Sequence, residues 1–415
     1  MFKHLLTGCM ILGILSCSTP AKKLSAGNKF TVTSARDSLT SDLNRELGKG
    51  YFNGLAVALV DEQGTLYEEG LGYADKVSGK RYTENTIQPI ASVSKTLIGI
   101  ALLKAQELKQ LKLDDPINRY LPFQVFHPDF PDVPITIRHL ANHTSGIIDN
   151  VFYFTRNYFL LPDQSPEILP YTFDDTQIFN PYDSILSLGI FLEAMLTPDG
   201  KYYRQEGFTD SRPGEQYEYS NTGAALAAYI IESATGMKFD EFTDRYILRP
   251  LGMKNSGWSF RTVDFSKHTR LYENASTPVP FYTTITYPDG GFITSVHDMA
   301  QYLTELIKGY NGKGTILSGK SYKEFFKPYL TEQHFKERNT TNPYNDSYNT
   351  GIFIGLSHTG NIGHTGGDPG VTSMMFFNPA TKTGRIIIMN TNISKQAEVN
   401  SFYNIWERLS KSKTR

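Results

Sequence analysis

The sequence predicts an α+β fold: one antiparallel sheet assembled from both ends of the chain, flanked by helices, with an all-helical region inserted between its two halves. Three observations carry that expectation. Residues 54–60 and 65–72 are apolar, β-branched runs separated by Asp61-Glu62-Gln63-Gly64, the composition of a hairpin. The C-terminal third returns to the same texture at residues 351–356, 371–378 and 384–391, with Pro379-Ala380-Thr381-Lys382-Thr383-Gly384 as a turn between the last two. Between these blocks, from Pro116 to about Tyr272, punctuation by Pro, Gly and Asn is dense, and residues 137–142, 184–196 and 223–235 carry apolar side chains at helical spacing.

The remaining elements follow in order. Leu39, Leu43 and Leu47 recur every four residues, so residues 34–52 are expected to form an amphipathic helix with Ser34 as its N-cap. A long helix is expected to begin at Ser92 and run to residue 111, with the Asp114-Asp115-Pro116 string ending it. Residues 151–182 hold Phe152, Tyr153, Phe154, Tyr158, Phe159, Tyr171, Phe173, Phe179 and Tyr182 among four prolines. That segment is too aromatic for disorder, and either covers a pocket or packs on the helices beneath it. Residues 393–411 close the chain as a helix. The folded part, 34–411, thus divides into an α/β portion (about 34–115 and 275–411) and a mainly helical portion (about 116–274).

Lys and Arg total 41 against 42 Asp and Glu, a net charge of -1 over 415 residues, which gives no electrostatic basis for a nucleic-acid partner. Both cysteines, Cys9 and Cys17, lie at the extreme N-terminus, so no disulfide framework is possible downstream. Lys3 and His4 precede an apolar stretch at 5–15 and the small residue Ser16, the layout of a secretory signal. Ile14-Leu15-Ser16-Cys17 resembles a bacterial lipobox; Leu6-Thr7-Gly8-Cys9 fits the letters too but leaves almost no apolar region before it. Residues 1–17 are therefore read as a lipoprotein-type signal peptide, Cys17 as the lipidated residue, and 18–33 as a tether. The membrane enters only through that anchor, and the expected location is the bacterial cell envelope, in the periplasm or at the cell surface.

Three strings have chemical content. In Ser92-Val93-Ser94-Lys95 a hydroxyl and an amine three residues apart share one helix face, and a lysine amine can activate a serine that is otherwise a weak nucleophile. Tyr219-Ser220-Asn221 offers a phenol and a side-chain amide, preceded by Pro213-Gly214-Glu215 and followed by the small residues Gly223-Ala224-Ala225. His364-Thr365-Gly366-Gly367 is followed by Asp368-Pro369-Gly370, read as a turn. Each string has a near-copy elsewhere, at Ser410 to Lys413, at Tyr51 and Tyr272, and at His358, so none is specific alone.

Their order is specific. Ser92 to Lys95, then Tyr219 to Asn221, then His364 to Gly366 resembles the active-site signature of the β-lactamase-related serine hydrolases, the class C β-lactamase and penicillin-binding protein family. The segment from Ile135 to Gly146, Pro250-Leu251-Gly252-Met253, and Asp289 to Ser295 with Asp298 agree, and the resemblance spans about Leu55 to Met389. It implies a β-lactamase/transpeptidase-like fold with the site between sheet and helical region. It also implies Ser92 as the acylated nucleophile, Lys95 as its activating partner and Tyr219 as general base and proton shuttle. Asn221 is then the donor to a substrate amide, and His364, Thr365, Gly366 and Gly367 are the substrate-binding strand. The backbone N–H groups of Ser92 and Gly367 become the oxyanion hole, with glycine at 367 letting a strand edge approach the substrate. No metal or organic cofactor is expected.

His364 stands where the β-lactamase form has lysine. An imidazole with an ordinary pKa of about 6.5 is mostly neutral at pH 7, so it offers a substrate carboxylate much less than a permanent cation does. His139 and His143, four apart, have a metal-like spacing but no obvious third ligand, and are read as packed or capping residues. The expected activity is hydrolysis of a small amide or ester, first a D-amino-acid peptide of the cell-wall type, D-Ala-D-Ala carboxypeptidase-like. Carboxylesterase, β-lactamase or transacylase chemistry, and a noncatalytic penicillin- or peptidoglycan-binding protein, are the alternatives.

Overall fold

A computed structural model describes residues 32–165, 171–335 and 348–412. The signal peptide, Cys17 and all but the last two residues of the tether lie outside the described residues. Among those described, no helix is long and apolar enough to cross a membrane.

After helix α1 (Val32–Leu47), strands β1 (Gly54–Asp61), β2 (Gly64–Asp75) and β3 (Lys80–Arg81) form a meander. Helix α2 (Lys95–Glu107) starts the central region, within which α3 (Asn221–Thr235) and then α4 (Val296–Tyr310) are the long helices. Strands β4 (Asn349–Thr350), β5 (Gly355–Leu356), β6 (Ile362–Asp368), β7 (Val371–Asn378) and β8 (Thr383–Met389) precede α5 (Gln396–Lys411). The eight strands form one sheet in the order β4-β5-β6-β7-β8-β1-β2-β3, every pair antiparallel. The two ends of the sequence meet at its centre, where Leu55 lies opposite Met389 and Ala58 opposite Ile386.

Side chains alternate across a strand, and here both faces are covered. Leu55, Val57, Leu59, Ile387 and Met389 pack with Leu39 and Leu43 of α1 and Phe402, Ile405 and Leu409 of α5. Their neighbours Ala56, Ala58, Val60, Ile386 and Ile388 face the opposite side and join Leu303, Leu306 and Ile307 of α4 and the apolar residues of α2. The result is the α+β architecture expected, helix–sheet–helix with a helical region beside it.

Several elements differ from the sequence reading. Ser34 falls within α1, which begins at Val32, and not at the position before it. The helix expected from Ser92 to 111 is a 3₁₀ turn, Ala91–Ser94, followed by α2, which stops at Glu107 before Lys109 turns left-handed at φ 60°. Asp114 and Asp115 do not end it; Asp114 accepts from Arg138 Nε at 2.6 Å and Asp115 from the Tyr120 hydroxyl at 2.5 Å. The apolar run 351–356 is not one strand. Its middle is a turn closed by Gly351 N donating to Ile354 O at 2.9 Å, with Ile352, Phe353 and Ile354 buried. A short apolar run records burial, not backbone shape. The region expected to be all-helical also contributes to a small sheet, in which Tyr158–Leu160 and Phe179–Asn180 of the aromatic segment join Tyr282–Thr284 from beyond it.

Candidate active site

Ser92 is half-buried in the 3₁₀ turn that leads into α2. The residue before it, Ala91, has φ 48°, a left-handed conformation that costs a residue with a Cβ about 1 kcal/mol or more. Neighbouring backbone holds it there: Ile90 N donates to Phe292 O at 3.0 Å, Phe292 N to Ser94 Oγ at 3.2 Å, and Ser373 Oγ to Ile90 O at 2.7 Å. Lys95, the first residue of α2, is fully buried. Its Nζ donates to Ser92 Oγ at 3.0 Å and to the Asp289 carbonyl at 2.7 Å, the contact that the three-residue spacing predicts.

Strand β6 crosses over this turn. A Cβ on Gly366 would stand 2.3 Å from Ile90 O and 2.5 Å from Ser373 Oγ, so only glycine fits there. At Gly367 the corresponding position has no protein atom within 4 Å, and the residue lines the cavity beside Ser92. Close approach to other protein atoms falls at Gly366, while the space beside Gly367 is open toward the cavity. His364 is buried on the same strand, with Nδ1 2.6 Å from Thr365 O; that carbonyl only accepts, so Nδ1 carries the proton. Burial, reinforced by the Lys95 charge, pushes its pKa down to about 4, so the imidazole is neutral at pH 7. Thr365 lies half-buried between these two positions.

Tyr219 and Asn221 flank Ser220, whose Oγ accepts from Gly223 N at 2.8 Å and caps α3. The Tyr219 ring has Lys95 Nζ 5.3 Å from its centroid, His143 stacked on it at 4.5 Å and His364 at 6.1 Å. His143 is buried with φ 56°; its Nδ1 accepts from Ser220 N at 3.1 Å and its carbonyl from Glu218 N at 2.8 Å, gripping the chain on both sides of Tyr219. Burial, then the nearby Lys95 charge, holds this imidazole well below the usual histidine range. His139 closes a capping box with Thr136. The two histidines thus work separately, as packing and capping residues.

Asn221 Nδ2 donates to Asp149 Oδ2 at 2.7 Å, which spends one of its two N–H groups. Asp149 also accepts from Asn221 N at 3.2 Å, Thr222 N at 2.8 Å and Thr222 Oγ1 at 2.7 Å. The sequence reading missed Asp149 and gave no individual site role to Tyr153, Tyr158, Asp289 or Asp368, all of which stand in or against the site. The Tyr153 hydroxyl lies 3.2 Å from both carboxylate oxygens of Asp289, and the Tyr158 hydroxyl donates to Asp368 Oδ1 at 2.7 Å. Burial pushes Asp289 up to about 7 while the Lys95 charge opposes it. Asp368, also raised by burial, stands at about 6. Asp368 does begin the Pro369-Gly370 turn as read, but its carboxylate belongs to the cavity. The aromatic segment both packs, through Phe154, Phe159 and Phe179, and lines the cavity, through Tyr153 and Tyr158. Among the described residues no three His, Cys, Asp or Glu side chains are gathered as a metal site.

The raised carboxyl of Asp368 sets a stability prediction. A carboxyl that titrates near 6 when folded and near 3.8 when unfolded costs the folded state stability above pH 6 and nothing below about 4. Asp368→Asn should therefore raise Tm at pH 7.5, with the gain shrinking as pH falls through 6 and gone near pH 3.5. Thermal melts across that range read it; a gain independent of pH would contradict it.

A family model described as Beta-lactamase matches residues 39–409. Penicillin-binding protein 4* of Bacillus subtilis (strain 168) is 27% identical over 348 residues, 79% of this chain and 65% of its own length. Protein flp of Staphylococcus aureus (strain NCTC 8325 / PS 47) is 24% identical over 359 residues, 84% of this chain and 62% of its own length. The chain therefore spans less than two thirds of either relative. Among solved structures, D-amino acid amidase from Ochrobactrum anthropi SV3, complexed with D-phenylalanine, aligns with TM-score 0.64 at 22% identity over 92% of this chain and 100% of its own. The octameric penicillin-binding protein homologue from Pyrococcus abyssi aligns with TM-score 0.63 at 20% identity over 91% and 78%. At such identities these structures speak for the fold. The family match runs from α1 to α5, across the whole sheet and everything inserted into it, and the chain belongs to the beta-lactamase family.

Proposed function

We propose that the protein is a serine hydrolase of the cell envelope that cleaves amide or ester bonds through an acyl-enzyme on Ser92. The observation that carries this is the buried Lys95 amine 3.0 Å from Ser92 Oγ, with the Tyr219 ring beside it. In this reading Ser92 Oγ attacks the substrate carbonyl carbon, and its proton passes through Lys95 and Tyr219 to the departing amine or alcohol. Water then attacks the ester, and the acid leaves as Ser92 regains its proton. The N–H groups of Ser92 and Gly367 hold the oxyanion, while Asn221, Thr365 and Gly366 seat the acyl portion.

D-amino-acid peptides or amides of the cell-wall type are the proposed substrates. The penicillin-binding relatives and the D-amino acid amidase support that class. Neutral His364 weighs against efficient recognition of a carboxylate-bearing β-lactam. Residues 34–411 act as the hydrolase unit, tethered through 18–33 to a lipid on Cys17, with no nucleic-acid partner and no required cofactor.

The test follows covalent mass and product together, with a fluorescent penicillin and with p-nitrophenyl acetate. Ester turnover with a transient acyl mass on the peptide containing Ser92 is expected. A persistent penicillin adduct with slow ester turnover favours a penicillin-binding peptidase, and neither signal would sink the hydrolase reading in favour of a noncatalytic binder.

A further inference from the structure

We propose that the acyl group presented to Ser92 carries a protonated amine held by the Asp368 carboxylate, so that the substrates are amides, esters or peptides with a free amino group next to the scissile carbonyl. This rests on Ser92 being the acylated residue. Asp368 directly follows Gly367, the residue whose N–H faces the reacting carbonyl in that reading, and both line the same cavity as Ser92. An α-amine is one carbon from its carbonyl, and the side chain one residue along the strand is the natural one to meet it.

Three features fit Asp368 to a cation. Its carboxylate is oriented in advance, because Oδ1 takes the Tyr158 hydroxyl at 2.7 Å. Oδ2 lies 3.0 Å from where a Cβ on Gly290 would stand, and the glycine leaves that side open. The described side chains lining the cavity include the carboxylates of Asp289 and Asp368, two acids against the single amine of Lys95, which stands behind Ser92 at 3.0 Å from its Oγ. Asp149 is already engaged by four donors at the start of α3, and Asp289, which like Asp368 takes a tyrosine hydroxyl, has in addition the Lys95 charge and a Thr286 side-chain hydrogen bond. An anion in a dry pocket is poorly solvated, which is why Asp368 resists ionisation, and an incoming ammonium restores the lost solvation with a charge-assisted hydrogen bond. A substrate carboxylate in the same place would meet repulsion from Asp368.

The test measures binding without turnover, by calorimetry on the Ser92→Ala protein with D-alaninamide and with N-acetyl-D-alaninamide. The free amine is expected to bind about tenfold tighter or more. Adding Asp368→Asn should bring the two affinities within about twofold, and the comparison of ligands stands even if that variant folds poorly. Equal affinities, tighter binding of the acetylated amide, or no binding of either would overturn the proposal. Wild-type turnover of p-nitrophenyl acetate is read in parallel. If it persists when amine selectivity is absent, only the proposal about Asp368 falls, whereas amine-selective binding without ester turnover removes the hydrolase reading and leaves the cation site.

Discussion

Ser92→Ala is expected to lower p-nitrophenyl acetate turnover by about 10⁴-fold or more, to the rate left by binding and the oxyanion donors alone. Its Tm should stay within a degree or two of wild type, since the lost hydroxyl is half-buried and makes a single hydrogen bond with Lys95. Lys95→Met should lose activity on the same scale for a different reason. The amine that takes the serine proton in this reading is gone, while methionine keeps an unbranched chain of similar length in the buried position. Activity lost together with stability in both variants would mean that the two residues hold the fold. Loss of activity at intact Tm assigns them to chemistry, and wild-type turnover in Ser92→Ala would remove that serine from the mechanism.

Gly366→Ala is expected to be the most damaging methyl group that can be added at the site. The new Cβ has backbone at 2.3 Å on one side and the Ser373 hydroxyl at 2.5 Å on the other, so something must move. Either β6 lifts away from the 3₁₀ turn, or the turn shifts at Ala91, which is already strained at φ 48°. Overpacking of this kind costs about 1–3 kcal/mol. A displacement of the oxyanion donors by an ångström costs a further hundredfold or so in rate. Gly367→Ala is the control, because its Cβ would enter open space and should leave the melt unchanged. Equal Tm values for the two variants would show that β6 does not rest on the turn as described.

What could be read from the sequence, and what could not, divides along one physical line. Strands β1, β2, β7 and β8 and helices α3 and α5 announced themselves because their apolar periodicity and turn residues agree. Ser92, Lys95, Tyr219, Asn221 and His364 could be named because three short strings, none specific alone, stand in the order that resembles the family's active-site signature. Ile352 to Ile354 misled because burial of a turn and burial of a strand look the same in one dimension. Asp149, Asp289 and Asp368 were passed over for a related reason. Each sits in a stretch where an aspartate is ordinary, and only the folded chain shows that Asp289 and Asp368 line one pocket while Asp149 holds Asn221 at its edge. His143 was seen as a packed residue, but not that the ring it packs against is Tyr219.

The meeting of the two chain ends at the centre of the sheet has a consequence for how the molecule is made. Gly54 N donates to Asn390 Oδ1 at 2.9 Å across 336 residues of intervening sequence, and β1 has β8 as its neighbour on that side. Closing so long a loop costs about 5 kcal/mol of chain entropy before any contact is gained. Proteins dominated by such distant pairings fold slowly. A nascent chain halted before residue 383 holds β1 and β2 as an open edge with no partner strand, exposed to association with other chains. The centre of the sheet is therefore completed only when the last strand arrives, and truncations that remove β8 and α5 should yield aggregates and not a smaller working domain.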